Sequence, residues 1–377
     1  MPDYQPFLME RFMSAYEQQV EYNLSESGVH PMTLRQLLDI DQSSVEDLLE
    51  TELNYPYVNG IPVLRERIAA MYDGAGSENV LVTVGAIEAN YNSVRSVLNP
   101  GDEVVIMLPN YMQIWGVAKN LGKRIRTFPL VEENNWAPDL EELEQAVTEK
   151  TKLIALCNPN NPTGYILSET EMDFIVRTAS RVGAWILADE VYAGAEQFTD
   201  TRTPSFYGKY NKVIAVGSMS KAYGLPGLRT GWLVAPPEMV DQIWARHEYT
   251  TISTTMLSNK LTAIALSEKV QPVIIERTRR YIRKGYPLLR EWMEQQGDTF
   301  SGIPPQAAAI AFVKYDLDIN STDLAMRLIK EKGVMIVPGD HFGMDKFIRI
   351  SYGLPETYLK GALSRIEELI QNIASPA

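Results

Sequence analysis

Short apolar runs alternate with longer amphipathic stretches over the first two-thirds of the chain. Five runs are rich in β-branched residues and bounded by turn-forming residues, which predicts buried strands. They are NVLVTVG (79–85), DEVVIML (102–108), KLIALC (152–157), AWILAD (184–189) and KVIAVGSM (212–219). The stretches between them predict helices at 60–72, 138–150, 168–182 and 236–248. This alternation predicts an α/β fold with a mostly parallel, doubly wound sheet, in which ligands bind beyond the carboxyl ends of the strands.

The pattern changes near residue 270. From there it predicts a long helix (273–296), a strand (308–314), a helix (321–332), strands near 333–337 and 346–352, and a terminal helix (355–373). These elements form a smaller α+β unit. We therefore expect a large domain (46–275), a small C-terminal domain (276–377), and an N-terminal segment (1–45) that packs with the small domain and the binding pocket and adds no strand to the main sheet.

Composition narrows the functional classes. The 377 residues carry a formal net charge of −13 and contain no basic run, so binding to nucleic acid or to an anionic membrane is not expected. No apolar run approaches the roughly 20 residues that cross a bilayer, and the N-terminus lacks a signal-peptide pattern, which favours a cytoplasmic protein. The single cysteine, Cys157, excludes an intramolecular disulfide. With one cysteine and three dispersed histidines, no metal site is expected.

Chemically useful residues follow the predicted strand ends. In VGAIEA (84–89), a glycine precedes free backbone N–H groups at a helix start, which suits a phosphate; an ordinary strand-to-helix turn is the alternative. The absence of GxGxxG and Walker A motifs disfavours dinucleotide and nucleoside triphosphate sites. In LPNYMQIW (108–115), Tyr111 can stack on a planar ring or simply pack in the core.

The next two strand ends carry amide and acid groups. In NPNNPTG (158–164), two Asn-Pro pairs predict a stiff turn, which is either a plain turn or a holder for the amide of Asn161. In DEVY (189–192), Asp189 ends a buried strand, where a carboxylate is costly without a cation or hydrogen-bond donors. A protonated ring nitrogen is one such partner, and Tyr192 can reach the same ring. A surface carboxylate is the alternative.

The fifth strand leads into SMSKAYGLPGLRTGW (218–232). Lys221 beside buried strands is expected to be desolvated, which frees its amine as a nucleophile. Ser218, Ser220 and Arg229 can hold a dianion. A carbonyl-seeking amine beside a phosphate clamp points to a phosphorylated aldehyde, of which pyridoxal 5′-phosphate (PLP) is the commonest in biology. The alternative is a solvated Lys-Arg loop.

A candidate substrate anchor lies in the predicted small domain. In FIRISYG (347–353), Arg349 occupies a strand-like apolar frame, where an unpaired guanidinium is costly. A substrate carboxylate would pair with it bidentately, and an internal salt bridge is the alternative.

Together these motifs resemble the fold type I PLP-dependent enzymes, specifically the class I and II aminotransferases. The resemblance runs from about residue 50 to the end of the chain. It rests on YPYVNGIPVLRERIA, VGAIEA, PNY, NPNNPTG, DEVY, SMSKAYGLPGLRTGW and RISYG, in the family's order and at similar spacing. It implies the fold type I PLP transferase architecture, a large domain with a mostly parallel sheet flanked by helices plus a smaller α+β domain, with PLP as cofactor.

The resemblance also implies roles for single positions. Lys221 resembles the catalytic lysine that forms the internal aldimine with PLP, and Asp189 resembles the partner of the pyridinium nitrogen. Asn161 and Tyr192 are similar to the donors to the ring hydroxyl, and Asn161 also borders the substrate. Tyr111 is similar to the residue stacked on the ring.

Further positions resemble the phosphate and substrate contacts of the family. The phosphate-binding set is Gly85, Ala86, Ile87, Ser218, Ser220 and Arg229. The family often has Thr or Ser where this chain has Ile87, so a side-chain donor is lost while the backbone N–H remains. Tyr55 is similar to the tyrosine that reaches the neighbouring subunit's phosphate, which implies a homodimer. Arg349 resembles the arginine that binds the substrate α-carboxylate.

The N-terminal stretch NLSESGVHPMTL (23–34) departs from the family pattern. Gly28 matches a family glycine that lines the substrate pocket, but Glu26, Ser27 and His30 are unusual neighbours. His30 is either a packing residue or a contact to the substrate side chain. The stretch is similar to that of capreomycidine synthase-like enzymes, which use PLP to eliminate and cyclise an arginine derivative.

The resemblance implies an aminotransferase that moves an amino group between an L-amino acid and a 2-oxo acid. A PLP-dependent lyase or cyclase, which expels a β or γ substituent, is the alternative, because the motifs do not separate the two reactions. A ligand-sensing regulator is disfavoured, since no helix-turn-helix is evident. The motifs contain no second arginine for an acidic side chain, and a glutamate such as Glu26 near the pocket would favour a basic one.

Overall fold

The computed structural model describes residues 4–42 and 45–374. In these ranges the α-helices are α1 (Leu8–Tyr16), α2 (Leu34–Asp41), α3 (Val45–Leu49), α4 (Pro62–Ala69), α5 (Gly85–Val97), α6 (Gln113–Asn120), α7 (Leu140–Ala146), α8 (Glu169–Val182), α9 (Pro237–His247), α10 (Met256–Ala265), α11 (Gln271–Gln295), α12 (Ser321–Arg327) and α13 (Glu356–Ala374). The strands are β1 (Tyr22–Asn23), β2 (Val80–Thr83), β3 (Glu103–Leu108), β4 (Arg124–Val131), β5 (Ala137–Pro138), β6 (Thr151–Cys157), β7 (Trp185–Asp189), β8 (Val213–Ser218), β9 (Gly231–Val234), β10 (Phe300–Ser301), β11 (Ile310–Tyr315), β12 (Val334–Met335), β13 (Val337–Pro338) and β14 (Phe347–Ser351). Each predicted strand and helix has a counterpart among them.

The large sheet has eight strands in the order β2-β9-β8-β7-β6-β3-β4-β5. Strands β8, β7, β6, β3 and β4 run parallel, whereas β9 is antiparallel to both of its neighbours and β5 is antiparallel to β4. The predicted mostly parallel sheet is therefore confirmed. Strands β4, β5 and β9 were not predicted. Strand β4 carries the polar residues Arg124, Arg126 and Thr127, β5 has two residues, and β9 begins within the stretch 218–232 that was interpreted as a loop.

Both faces of the large sheet are covered, which explains why its strands are continuously apolar. Successive residues of a strand point to opposite faces. Val105 and Ile154 pack in the same core as residues of α8 on one face, while Val104 and Ile106 pack with residues of α5, α6 and α9 on the other. This layering places the loops that follow the parallel strands at one open edge.

A smaller antiparallel sheet, in the order β10-β11-β14-β13, forms the second unit. The long helix α11 precedes it in the chain, and α13 ends the described residues. The N-terminal segment belongs with this unit, because β1 pairs with β12 and the Ser351 N–H donates to the Leu24 carbonyl. Within residues 4–42 the one strand is β1, and it pairs with β12 rather than with the large sheet.

The predicted domain boundaries stay predictions. The boundary at 275/276 falls inside α11, which runs without a break for 25 residues. The boundary at 45/46 falls beside residues 43 and 44, which lie outside the described part of the chain. No helix of the described residues is both long enough and apolar enough to span a bilayer.

Candidate active site

A cavity of about 290 Å³ lies beyond the carboxyl ends of β6, β7 and β8. Most of the predicted site residues line it: Ala86, Ile87, Tyr111, Asn161, Asp189, Tyr192, Ser218, Ser220, Lys221, Arg229 and Arg349. They come from six separate motifs of the chain. Five of these motifs follow strands of the large sheet whose carboxyl ends meet at one edge, and the sixth, FIRISYG, comes from β14 of the smaller sheet.

Asp189 ends β7 and is only 7% exposed. Asn90 Nδ2 donates to Asp189 Oδ2 at 2.9 Å, and the Val191 N–H donates to Oδ1 at 3.3 Å. Burial raises the pKa of Asp189, while these hydrogen bonds and the charge of Lys221 oppose that rise. The alternative of a surface carboxylate is therefore wrong. A buried carboxylate held by neutral donors suits a cationic ligand atom, such as a protonated ring nitrogen.

An anion cradle lies at the start of α5. A Cβ atom added to Gly85 would lie 2.7 Å from Arg229 Nη2, so the guanidinium rests directly on the first residue of this helix. A Cβ atom added to Gly231 would collide with the backbone N of Ala86, so the start of β9 also lies directly against the start of α5. The Ser218 hydroxyl accepts a hydrogen bond from the Ser220 N–H at 2.9 Å. Helix N–H groups, a guanidinium and two hydroxyls form a donor set that fits a phosphate dianion.

Arg349 lies in β14 and is 2% exposed. Its Nη1 donates to Asn161 Oδ1 at 3.0 Å, and its Nη2 donates to the carbonyl oxygen of Ser25. Its Nε has no hydrogen-bond partner among the described residues. Burial lowers the pKa of Arg349, and the neighbouring Tyr192 opposes that shift. Since Arg349 forms no ion pair within 4.0 Å in the described chain, the internal salt bridge is absent and the charge suits a ligand carboxylate.

The N-terminal segment closes the cavity with Phe7 and Glu10, which the sequence motifs did not predict, and with Ser27, for which they predicted no role. The Tyr192 hydroxyl donates to Ser27 Oγ at 2.9 Å, and the Tyr111 hydroxyl donates to Glu10 Oε1 at 2.6 Å. The ring of Phe7 packs on that of Tyr111 at a centroid distance of 4.9 Å. No local sequence pattern predicts these contacts, because the partners are far apart in sequence.

Asn90 was also missed, although a signal exists. It lies four residues after Ala86 on α5, and residues four apart share one helix face. Asn90 therefore lies on the helix face that continues from the predicted phosphate-binding turn. An asparagine at such a position indicates a polar contact. Its side chain meets Asp189 in the folded protein.

Four predicted residues are not part of the cavity wall: Gly85, whose place beneath Arg229 is described above, and Gly28, His30 and Tyr55. Gly28 supports the lysine loop from behind, since a Cβ atom there would lie 2.8 Å from the Ser220 carbonyl oxygen. His30 lies beside α11, with its ring 6.0 Å from that of Tyr281. Tyr55 is 79% exposed and does not contact the cavity of its own chain.

A larger cavity of about 690 Å³ adjoins the first and shares Met9, Ile87 and Gln113 with it. Its wall consists mainly of the N-terminal residues 4–9 and of α5 and α6. It contains neither Lys221 nor Asp189, so the chemistry is confined to the smaller cavity.

The chain is similar to known proteins over nearly its whole length. The sequence model of the family "Aminotransferase class I and II" matches residues 32–366. Capreomycidine synthase of Streptomyces vinaceus is 30% identical, with 96% of this chain and 92% of the relative covered. Aspartate aminotransferase of Thermotoga maritima is 27% identical, with 88% and 87% covered. The crystal structure of a PLP-dependent aminotransferase from Streptococcus suis superposes with a TM-score of 0.93 at 32% identity, and each chain is fully covered.

The site agrees with this likeness, because one cavity contains the amine, the buried carboxylate and the anion cradle that a phosphorylated pyridine aldehyde requires. The chain therefore belongs to the class I and II aminotransferase family of fold type I enzymes, and its cofactor is PLP.

Proposed function

We propose that the protein is an aminotransferase that moves an amino group between an L-amino acid and a 2-oxo acid. The observation that carries the proposal is the meeting of Lys221, Asp189 and Arg349 in one cavity. Bound PLP supplies a carbonyl that takes up an amino group and a ring that withdraws electrons. The protein supplies the anchor for the substrate and a group that moves protons.

The cofactor's binding residues divide by the part that they hold. Arg229, Ser218, Ser220 and the backbone at the start of α5 bind the phosphate. Asp189 keeps the ring nitrogen protonated, because a buried carboxylate is stabilised by a cation at its oxygens.

The ring's other edge and its face have their own contacts. Asn161 and Tyr192 would contact the ring hydroxyl, with the Tyr192 proton redirected from Ser27 Oγ. Tyr111 packs against the ring face, with Glu10 accepting from its hydroxyl and holding the side chain in position.

Two residues act directly on the substrate. Arg349 binds the α-carboxylate, since its Nε has no hydrogen-bond partner among the described residues and its charge has no protein counter-ion within 4.0 Å there. The amine of Lys221 would hold PLP at its carbonyl, and it would also be the group that removes the substrate's α-proton. Its place beside Asp189 and opposite Arg349 in one cavity supports this double role.

A PLP-dependent lyase or cyclase is the second candidate. It is favoured by the 30% identity to capreomycidine synthase over 96% of this chain. The same residues hold the cofactor and remove the α-proton in either reaction. The difference lies in whether a β or γ substituent leaves afterwards, and the residues described so far serve both outcomes.

A homodimer completes the proposal. The segment before α4 exposes several large apolar side chains, which a monomer rarely leaves in contact with water. They are Leu49, Leu53, Tyr55 and Tyr57. In a symmetric dimer, Tyr55 reaches the phosphate site of the second subunit.

The test is a half-reaction of the purified holoenzyme with single amino acids, in the absence of a 2-oxo acid. We expect conversion of PLP to pyridoxamine 5′-phosphate with one equivalent of 2-oxo acid, measured by absorbance and chromatography. Release of ammonia or another leaving group with PLP regenerated would establish a lyase or cyclase instead. Lys221→Ala should lose turnover by a factor of at least about 10⁴ while its circular dichroism stays unchanged. Turnover at the wild-type rate in this variant would contradict the role of Lys221.

A further inference from the structure

Three glutamates of the N-terminal segment line the same cavity as Lys221 and Arg349. We call Glu10, Glu17 and Glu26 the glutamate cluster. Glu10 lies in α1 and Glu17 directly follows it, so their spacing of seven residues places both on one face of the helix. Glu26 follows β1 and lines the same cavity. The fold therefore brings three carboxylates to one end of the binding cavity.

Within the described chain the glutamate cluster has no cation at salt-bridge distance, although the charges of Glu26 and Glu10 act on Arg349 and oppose the lowering of its pKa. None of its members forms an ion pair within 4.0 Å among residues 4–42 and 45–374. Glu10 accepts a hydrogen bond from Tyr111, which carries no charge. The pKa of Glu17 is raised by burial and then by the charges of Glu26 and Glu10, so Glu17 lies close enough to both of them to be repelled. Such a cluster favours a cation between its members.

The remaining charges of the cavity are already used in the proposed function. Arg229 is assigned to the PLP phosphate, Asp189 to the ring nitrogen and Lys221 to the PLP carbonyl. Arg349 is assigned to the substrate α-carboxylate. The buried Nε of Arg349, which lines the same cavity, lacks a hydrogen-bond partner in the described part of the protein, as expected of a site that a ligand completes. The glutamate cluster is the one charged part of the cavity wall that PLP and the α-amino carboxylate leave without a counter-ion.

We propose that the amino donor is an L-amino acid whose side chain ends in a cation, an ammonium or a guanidinium group. The glutamate cluster binds that cation while Arg349 binds the α-carboxylate. The inference rests on the proposed binding of an amino acid at Lys221. An acidic side chain is disfavoured, because it would be placed against three like charges.

The first experiment compares matched substrates with wild-type holoenzyme. Lysine and ornithine carry an ammonium group and arginine carries a guanidinium group, while norleucine and citrulline are their neutral counterparts. We expect kcat/KM in the half-reaction to be about 100-fold higher for the best cationic substrate than for its neutral counterpart, since each charge-assisted contact contributes about tenfold. Comparison of kcat/KM for lysine and arginine shows whether the cavity prefers an ammonium or a guanidinium group. Equal values, or a preference for aspartate, would overturn the proposal.

Variants assign the preference to the glutamate cluster. Glu17→Gln and Glu26→Gln should each raise KM for the cationic substrate about tenfold and change that for the neutral one less than twofold. The matched control is Glu21→Gln, because Glu21 lies in the same segment but faces Arg365 outside the cavity. If both cluster variants keep the wild-type preference, the carboxylates do not bind the side chain.

A binding measurement tests the proposed substrate class independently of the type of reaction. Amino acids methylated at the α-carbon lack the α-proton, so they bind at the cofactor without turnover in a transaminase, lyase or cyclase alike. The dissociation constant of 2-methyllysine should be at least about tenfold lower than that of 2-methylnorleucine, as measured by absorbance titration of the holoenzyme. Equal binding of the two, or binding of neither, would overturn the substrate class even if transamination were established by other substrates.

Discussion

At the scale of single residues, the site is built from charges held by neutral partners. Asp189 has Asn90 and a backbone N–H as donors, and Arg349 has Asn161 and a carbonyl oxygen. Internal ion pairs would have neutralised both groups. Neutral partners fix the position of each charged side chain while leaving its charge for the ligand.

Asn90 is a positioning residue for Asp189, and its removal should change the pH dependence of the reaction. The hydrogen bond from Asn90 opposes the burial that raises the pKa of Asp189. Asn90→Ala should therefore raise that pKa further, so that the acidic limb of the kcat/KM profile moves to higher pH. The measurement is the pH profile of both enzymes with one amino donor.

Asn92→Ala is the control for this prediction. Asn92 is buried on the same helix, yet its side chain faces Glu88 and Thr250 rather than Asp189. Its removal should leave the acidic limb in place. An unmoved limb in the Asn90 variant would mean that this hydrogen bond is structural only.

At the scale of elements, α5, the helix proposed to bind the phosphate, is anchored to α9 by a buried polar network. Glu88, in the first turn of α5, accepts from the Val84 N–H at 2.7 Å and from the Thr251 hydroxyl at 2.7 Å. His247, at the end of α9, lies with Nδ1 2.9 Å from the same carboxylate. Burial by itself would raise the pKa of Glu88, but these hydrogen bonds lower it to about 2. The network holds the start of α5 against the end of another helix.

Glu88→Gln should destabilise the protein in a pH-dependent way. A lowered folded-state pKa contributes stability that is present above the unfolded value of 4.5 and is lost as the pH falls towards about 2. We expect the free energy of unfolding to drop by about 2–3 kcal/mol at pH 7, with the difference from wild type shrinking between pH 4.5 and 2. Urea denaturation at several pH values measures it. A difference that is constant across this range would assign the loss to packing rather than to ionisation.

At the scale of the whole molecule, the cavity is assembled from chain segments that are distant in sequence. The large sheet contributes the cofactor residues, β14 contributes Arg349, and the N-terminal segment contributes the glutamate cluster. That segment is fastened to the small sheet through β1 and β12. The substrate end of the cavity therefore depends on how the N-terminal segment packs, and the cofactor end depends on the large sheet.

The proposed dimer predicts complementation between inactive chains. Tyr55→Ala should bind PLP about 10–100-fold more weakly, because a hydrogen bond to a charged phosphate is lost. In a mixed dimer with Lys221→Ala, one site combines an intact Lys221 with an intact Tyr55 from the other subunit. A randomly assembled equal mixture should recover about one quarter of wild-type activity at limiting PLP. Activity no higher than the average of the two separate samples would contradict the shared site.

Much of this protein follows from local sequence. The apolar strands, the amphipathic helices and the turns NPNNPTG and SMSKAYGLPGLRTGW are encoded by neighbouring residues, because burial periodicity and backbone preferences act over a few positions. Since parallel strands end at one edge, the order of these motifs was enough to place Lys221, Asp189 and Asn161 together. The sequence by itself thus determined the fold class and the cofactor end of the cavity.

The tertiary structure decided the rest. Tyr111 and Glu10 are 101 residues apart, Asp189 and Asn90 are 99 apart, and Tyr192 and Ser27 are 165 apart. No local pattern specifies such pairs, because they depend on how whole elements pack against one another. The antiparallel direction of β9 and the position of His30 away from the cavity were likewise decided by the packing of whole elements. The glutamate cluster does too, since three carboxylates become one site only when the N-terminal segment folds over the sheet edge.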